Sequence, residues 1–115
     1  MTSPTSFVIL AASPAAGAGA LAPIGSRDHL IRDLFDCNTG PQREGEDILY
    51  GPGIRIELPP GQDPITQMLL TLTEPDIGWQ VLMRLARKQG WRVLDPNTGR
   101  EFTPGQGTIP GAARA

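Results

Sequence analysis

The 115 residues are enough for a single domain. A net charge of −2, with 19% charged and 39% apolar residues, is ordinary for a globular chain and argues against nucleic acid as a partner. No proline-free run of 18 apolar residues offers a membrane span, and Cys37, the sole cysteine, rules out an internal disulfide or a multi-cysteine metal site.

Residues 1–25 carry no charge and are rich in Ala, Gly and Pro, so they are expected to form an N-terminal tail. Residues 104–115 are expected to form a flexible C-terminal tail, leaving 26–103 as one domain. On this reading, removing residues 1–24 leaves stability nearly unchanged. The apolar run from Phe7 to Ala12 invites two other readings, a sheet strand or a weak export signal. No basic residue precedes that run, since the first cation is Arg27. With a lone cysteine, this places the cytoplasm ahead of export.

The first helix begins at Ser26, whose hydroxyl can cap the first turn beside Asp28. Leu30, Ile31, Leu34 and Phe35 form its apolar stripe, and it stops around Asn38-Thr39-Gly40. A polar loop over 41–47 follows. Asp47-Ile48-Leu49-Tyr50 and Ile54 to Leu58 then flank Gly51-Pro52-Gly53. The alternation of Ile54, Ile56 and Leu58 with Arg55 and Glu57 predicts a hairpin with one buried face. Prolines at 59, 60 and 64 end it. Residues 65–73 make the next strand, with Met68, Leu70 and Leu72 on one face.

The second helix opens with Thr73 and Asp76 spaced as a capping box and Pro75 in the first turn. Val81, Leu82, Leu85 and Ala86 face inward, bordered by Trp79 and Met83. Gln80, Arg84, Arg87 and Lys88 share the opposite face. Gly90 ends the helix, Trp91 to Leu94 form a strand, and Arg100 to Phe102 its return.

Between these last strands, Asp95-Pro96-Asn97-Thr98-Gly99 begins like a calcium loop. An EF-hand needs Asp or Asn at the fifth position, glycine at the sixth and glutamate at the twelfth. Here those positions hold Gly99, Arg100 and Gln106, and the flanks are strands. The segment is a turn, with Gly99 supplying a positive φ.

Little else carries chemistry. Gly17-Ala18-Gly19-Ala20-Leu21-Ala22 spells a dinucleotide fingerprint, but Pro23 breaks any helix behind it. His29 lies eight residues from Cys37, about 12 Å along a helix, too far for a dyad. The paired carboxylates (Asp33 with Asp36, and Glu44 with Glu46 and Asp47) read as solvated charge. No catalytic, cofactor-binding or metal-binding residue is assigned, and the chain reads as leaning away from an enzyme.

Charge is nevertheless segregated. Residues 28–76 hold ten acids against Arg32, Arg43 and Arg55, a balance of −7. Residues 77–104 hold Arg84, Arg87, Lys88, Arg92 and Arg100 against Asp95 and Glu101, a balance of +3. The stripe of Arg84, Arg87 and Lys88, extended by Arg92, is the candidate partner-binding surface. Its first reading is a solvated helix face and its second a dock for an acidic protein. Five of the six aromatics fit a core.

Leu82 through Phe102, "LMRLARKQGWRVLDPNTGREF", resembles the closing helix–strand–turn of small, mostly uncharacterised bacterial α+β domains, some of them immunity-protein-like. The resemblance rests on Leu85, Ala86, Gly90, Trp91, Asp95, Thr98 and Gly99. It implies fold more than function, and no functional residue is carried across.

The reading is therefore an α+β fold with two helices on one face of a small antiparallel sheet. A strand at Phe7 to Ala12 would instead give the ferredoxin-like order βαββαβ. The favoured function is a non-enzymatic protein-binding module, with a homodimer compatible. The alternatives are a small-ligand-binding regulatory domain, or a small hydrolase or isomerase with an acidic site. The turn reading has a direct check: millimolar Ca²⁺ should leave tryptophan fluorescence unchanged, and a saturable, chelator-reversible change would contradict it.

Overall fold

The computed structural model describes residues 5–11, 22–43 and 45–102. The region 104–115, Glu44 and most of the glycine fingerprint, residues 17–21, lie outside them. Eight elements follow in chain order: β1 (Thr5–Leu10), α1 (Arg27–Phe35), β2 (Ile48–Gly51), β3 (Ile54–Glu57), β4 (Gln67–Leu72), α2 (Pro75–Gln89), β5 (Arg92–Leu94) and β6 (Glu101–Phe102). All strands pair antiparallel in the order β2-β3-β4-β1-β5-β6. Both helices pack on one face of this sheet, as the α+β reading expects.

The N-terminal region departs from expectation. Thr5–Leu10 is a strand at the centre of the sheet, paired with β4 along its length and with β5 over Val8–Leu10. The domain therefore starts before residue 26, and 1–25 is not all tail. Phe7, Ile9 and Leu10 are buried, so the run serves as core. Nor does this strand make the sheet ferredoxin-like. Three strands separate the two helices rather than two, so chain direction is reversed once more and both neighbours of β1 run antiparallel to it.

One face of the sheet presents Phe7, Ile9, Leu49, Ile54, Ile56, Met68, Leu70, Leu72 and Val93, all buried, toward Leu30, Leu34, Leu82, Leu85 and Ala86. The opposite face carries, in register, the row Glu57, Leu69, Val8, Leu94 and Glu101.

The Ser26 hydroxyl accepts the His29 N–H at 3.2 Å, capping α1 as expected. The stop differs: Asn38, not Gly40, takes the left-handed conformation at φ 61. Gly40 instead bridges Tyr50 with two backbone hydrogen bonds, which covers part of the outer edge of β2. A Cβ at Gly40 would lie 3.0 Å from the Phe35 ring. Phe35 itself is 69% exposed, so it leaves the predicted stripe. Tyr50 and Trp79 are also exposed, and among aromatics whose side chains are described only Phe7 and Trp91 are buried.

Arg27 ties the start of α1 to two loops. Its guanidinium donates to the Pro59 carbonyl at 2.8 Å and pairs with Asp47, and its backbone N–H donates to the Asp63 carboxylate at 3.0 Å. Such charge-assisted bonds are the stronger kind.

The start of α2 also differs. Glu74 is the N-cap and makes no side-chain capping bond, so Thr73 does not form the expected capping box. The Thr73 and Glu74 N–H groups donate to the Gly53 carbonyl at 2.8 and 3.1 Å, so the β2–β3 turn claims this backbone. Gly53, at φ +72, touches Gly78 backbone to backbone: a Cβ on Gly53 would lie 2.6 Å from the Gly78 nitrogen, and one on Gly78 would collide with the Gly53 carbonyl.

In an open helix, Gly→Ala gains roughly 0.5–1 kcal/mol of helix propensity. At Gly78 the clash should reverse that sign, because overpacking costs about 1–3 kcal/mol. Gly78→Ala should therefore lower the denaturant midpoint, and an unchanged or raised midpoint would show that the turn yields freely.

Candidate functional site

The two helices meet the β2–β3 turn around a groove of about 260 Å³ lined by Asp36, Cys37, Asn38, Pro52, Val81, Arg84, Leu85 and Lys88. Each element contributes for a local reason. The turn after α1 brings Asp36 to Asn38, the hairpin tip brings Pro52, and the spacing of 81, 84, 85 and 88 puts four side chains of α2 along one line. Val81, Leu85 and Cys37 provide apolar lining. Arg84 and Lys88 stand one turn apart on an exposed edge.

The Lys88 ammonium lies 3.5 Å from the Cys37 sulfur, near the C-terminal end of α1. The partial negative charge of that helix end favours a cation there. Arg84, Arg87 and Lys88 make no ion pair with any acid among the described residues. The groove thus combines two unneutralised cations with an apolar lining and one carboxylate, Asp36.

The four predicted partner-binding residues divide. Arg84 and Lys88 come together in the groove; Arg87 is exposed on α2 but does not line it. Arg92 is separate: its Nε donates to the Ala11 carbonyl at 2.7 Å and a terminal nitrogen donates to Glu101 at 2.9 Å. Its side chain is only 17% exposed, so it holds β1, β5 and β6 together and does not extend the stripe. Arg92 follows Lys88 by four residues in sequence, but it lies on β5, beyond the helix stop at Gly90.

Many acids are likewise committed locally. Asp33 pairs with His29 at 3.1 Å, Glu57 lies 3.7 Å from Arg55, and Glu46 accepts the Gln42 and Arg43 N–H groups at 3.0 Å each. Asp95 accepts the Asn97 N–H at 2.9 Å, with Gly99 at φ +77, which is an Asx turn. His29 is engaged with Asp33, not with Cys37. Among the described residues, no three His, Cys, Asp or Glu side chains gather where they could hold a metal ion, and no helix is long and apolar enough to cross a membrane.

Sequence reasoning missed the contributions of Cys37, Pro52 and Asp36 to this groove. Pro52 and Asp36 carry no periodic signal, and Cys37 lies past the end of α1, where helical spacing gives no direction. No family model matches the chain, and no curated protein or solved structure matches it.

The division of the arginines can be measured. Arg84→Glu with Arg87→Glu should change unfolding free energy by no more than about 0.5 kcal/mol, as is usual for exposed sites. Arg92→Ala should cost about 1–3 kcal/mol through its lost charged hydrogen bonds. Equal losses in urea unfolding would contradict this division.

Proposed function

We propose that the chain is a non-enzymatic protein-binding module that receives an acidic, partly apolar segment of a partner protein in the groove between α1 and α2. The observation that carries this reading is the pair Arg84 and Lys88, neither in an ion pair with an acid among the described residues, beside the apolar lining of Val81 and Leu85. Long cationic side chains lying over an apolar surface can bury their stems against a ligand while their heads meet carboxylates. In the immunity-protein-like reading of residues 82–102, the partner is a toxin domain with an acidic surface. The groove reading also holds for any partner of that chemistry.

The test compares wild type, Arg84→Glu with Lys88→Glu, and a control reversal at exposed Arg43, first in cross-linked pull-downs and then with the captured partner purified. The groove reversal should abolish capture while the control retains it. In binding kinetics its loss should fall largely on the association rate, and the wild type should weaken with added salt, because exposed charges act chiefly by steering. A partner that binds the folded groove reversal as well as wild type would overturn the proposal.

A further inference from the structure

The exposed side of α2 carries a second pattern. Glu74, Ile77, Val81, Arg84 and Lys88 follow one another at intervals of three, four, three and four residues. That is the spacing of a seam along which one helix packs on another. Glu74, Ile77, Arg84 and Lys88 are exposed and Val81 is half-buried, so the fold leaves this line open to solvent. Ile77 and Val81 give it an apolar centre, Ile77 with 48% of its surface exposed.

The two ends of the line carry opposite charge. Glu74 stands seven residues before Val81 and Lys88 seven after it, with Arg84 between Val81 and Lys88. None of these three charged side chains forms an ion pair among the described residues. At 1.5 Å per residue the ends lie about 10 Å on either side of Val81 and about 21 Å from each other, too far apart to neutralise one another within one chain. A second copy laid antiparallel along the line, Val81 on Val81, brings each Glu74 to the other copy's Lys88. Each Ile77 then lies beside the other copy's Arg84 and Leu85. A parallel copy would set like charges against each other, which costs affinity. The line is complementary to itself in one direction only, and self-complementarity is what a two-fold interface requires.

We infer that α2 pairs antiparallel with the α2 of a second copy of this chain, about a two-fold axis at Val81. A single helix pair buries less than the roughly 800 Å² per partner of a standard interface, so the dimer is weak and forms as concentration rises. It covers Arg84 and Lys88, so self-association and the partner segment exclude each other. The inference does not rest on the partner reading, because the chain alone tests it.

Sedimentation equilibrium of the full chain from micromolar to millimolar concentration should show a monomer giving way to a dimer, and added salt should shift the balance back. Glu74→Lys and Lys88→Glu each replace two ion pairs per dimer with two repulsions. Both positions are exposed and Glu74 makes no side-chain capping bond, so the fold should tolerate the changes. Either reversal alone should weaken self-association about tenfold, since exposed pairs contribute up to about 1 kcal/mol apiece. Glu74→Lys combined with Lys88→Glu should recover most of it, because the exchanged charges meet again only across an antiparallel pair. A wild-type chain that stays monomeric at millimolar concentration needs no variant to overturn the inference. Reversals that associate as tightly as wild type, or a double variant no tighter than the single ones, would overturn it as well.

Discussion

The placement of α2 depends on one close approach of backbone to backbone. The Gly53 carbonyl accepts two N–H groups from the chain leaving β4 and rests against Gly78 in the first turns of the helix. Side chains at either position would push the hairpin tip and the helix apart. Because the two are in contact, Leu82, Leu85 and Ala86 reach the sheet and are buried. The same contact brings Pro52, the residue before Gly53, to the groove that Val81 and Arg84 also line. Core and candidate site thus share a single hinge point, and the groove's shape follows from how a turn meets a helix.

Polar contacts complete the frame where apolar burial is thin. Arg27 gathers Asp47, Pro59 and Asp63 around the start of α1, and Arg92 joins the end of β1 to β6. Both arginines are mostly buried, with side chains 18% and 17% exposed, so their bonds act in a drier setting than surface ion pairs do. Arg84 and Lys88 have no such anchoring, and this difference separates a structural cation from one available to a partner.

What the sequence made legible was local. Ser26 capped its helix, Ile54 and Ile56 alternated with Arg55 and Glu57 into a strand, and Asp95 to Gly99 closed a turn, because each of these is decided within a few residues. The same holds for the inward stripe of α2. What stayed hidden was decided at a distance. β1 is a continuous apolar run without strong alternation, as central strands often are, and its uncharged surroundings made it look like tail. Thr73 lost its capping role to a carbonyl 20 residues earlier in the chain, which no spacing rule could report. Of the stripe, helical periodicity correctly put Arg84, Arg87 and Lys88 on an exposed face. It could not show that the turn after α1 would close one side of a groove, or that the Arg92 guanidinium would be taken up by Ala11 and Glu101.

The central place of β1 has a consequence for how the chain is made. Its contacts lie far ahead in the sequence: Ser6 meets Thr71 across 65 residues, and the Ala11 carbonyl meets Arg92 across 81. During synthesis at roughly 5–20 residues per second, β1 precedes both its neighbours by several seconds. For that interval an apolar strand has two unpaired edges, the condition under which nascent chains associate wrongly. The sheet closes around its oldest strand last, so the ribosome's pace and any chaperone waiting near the exit tunnel bear on this fold as directly as its packing does.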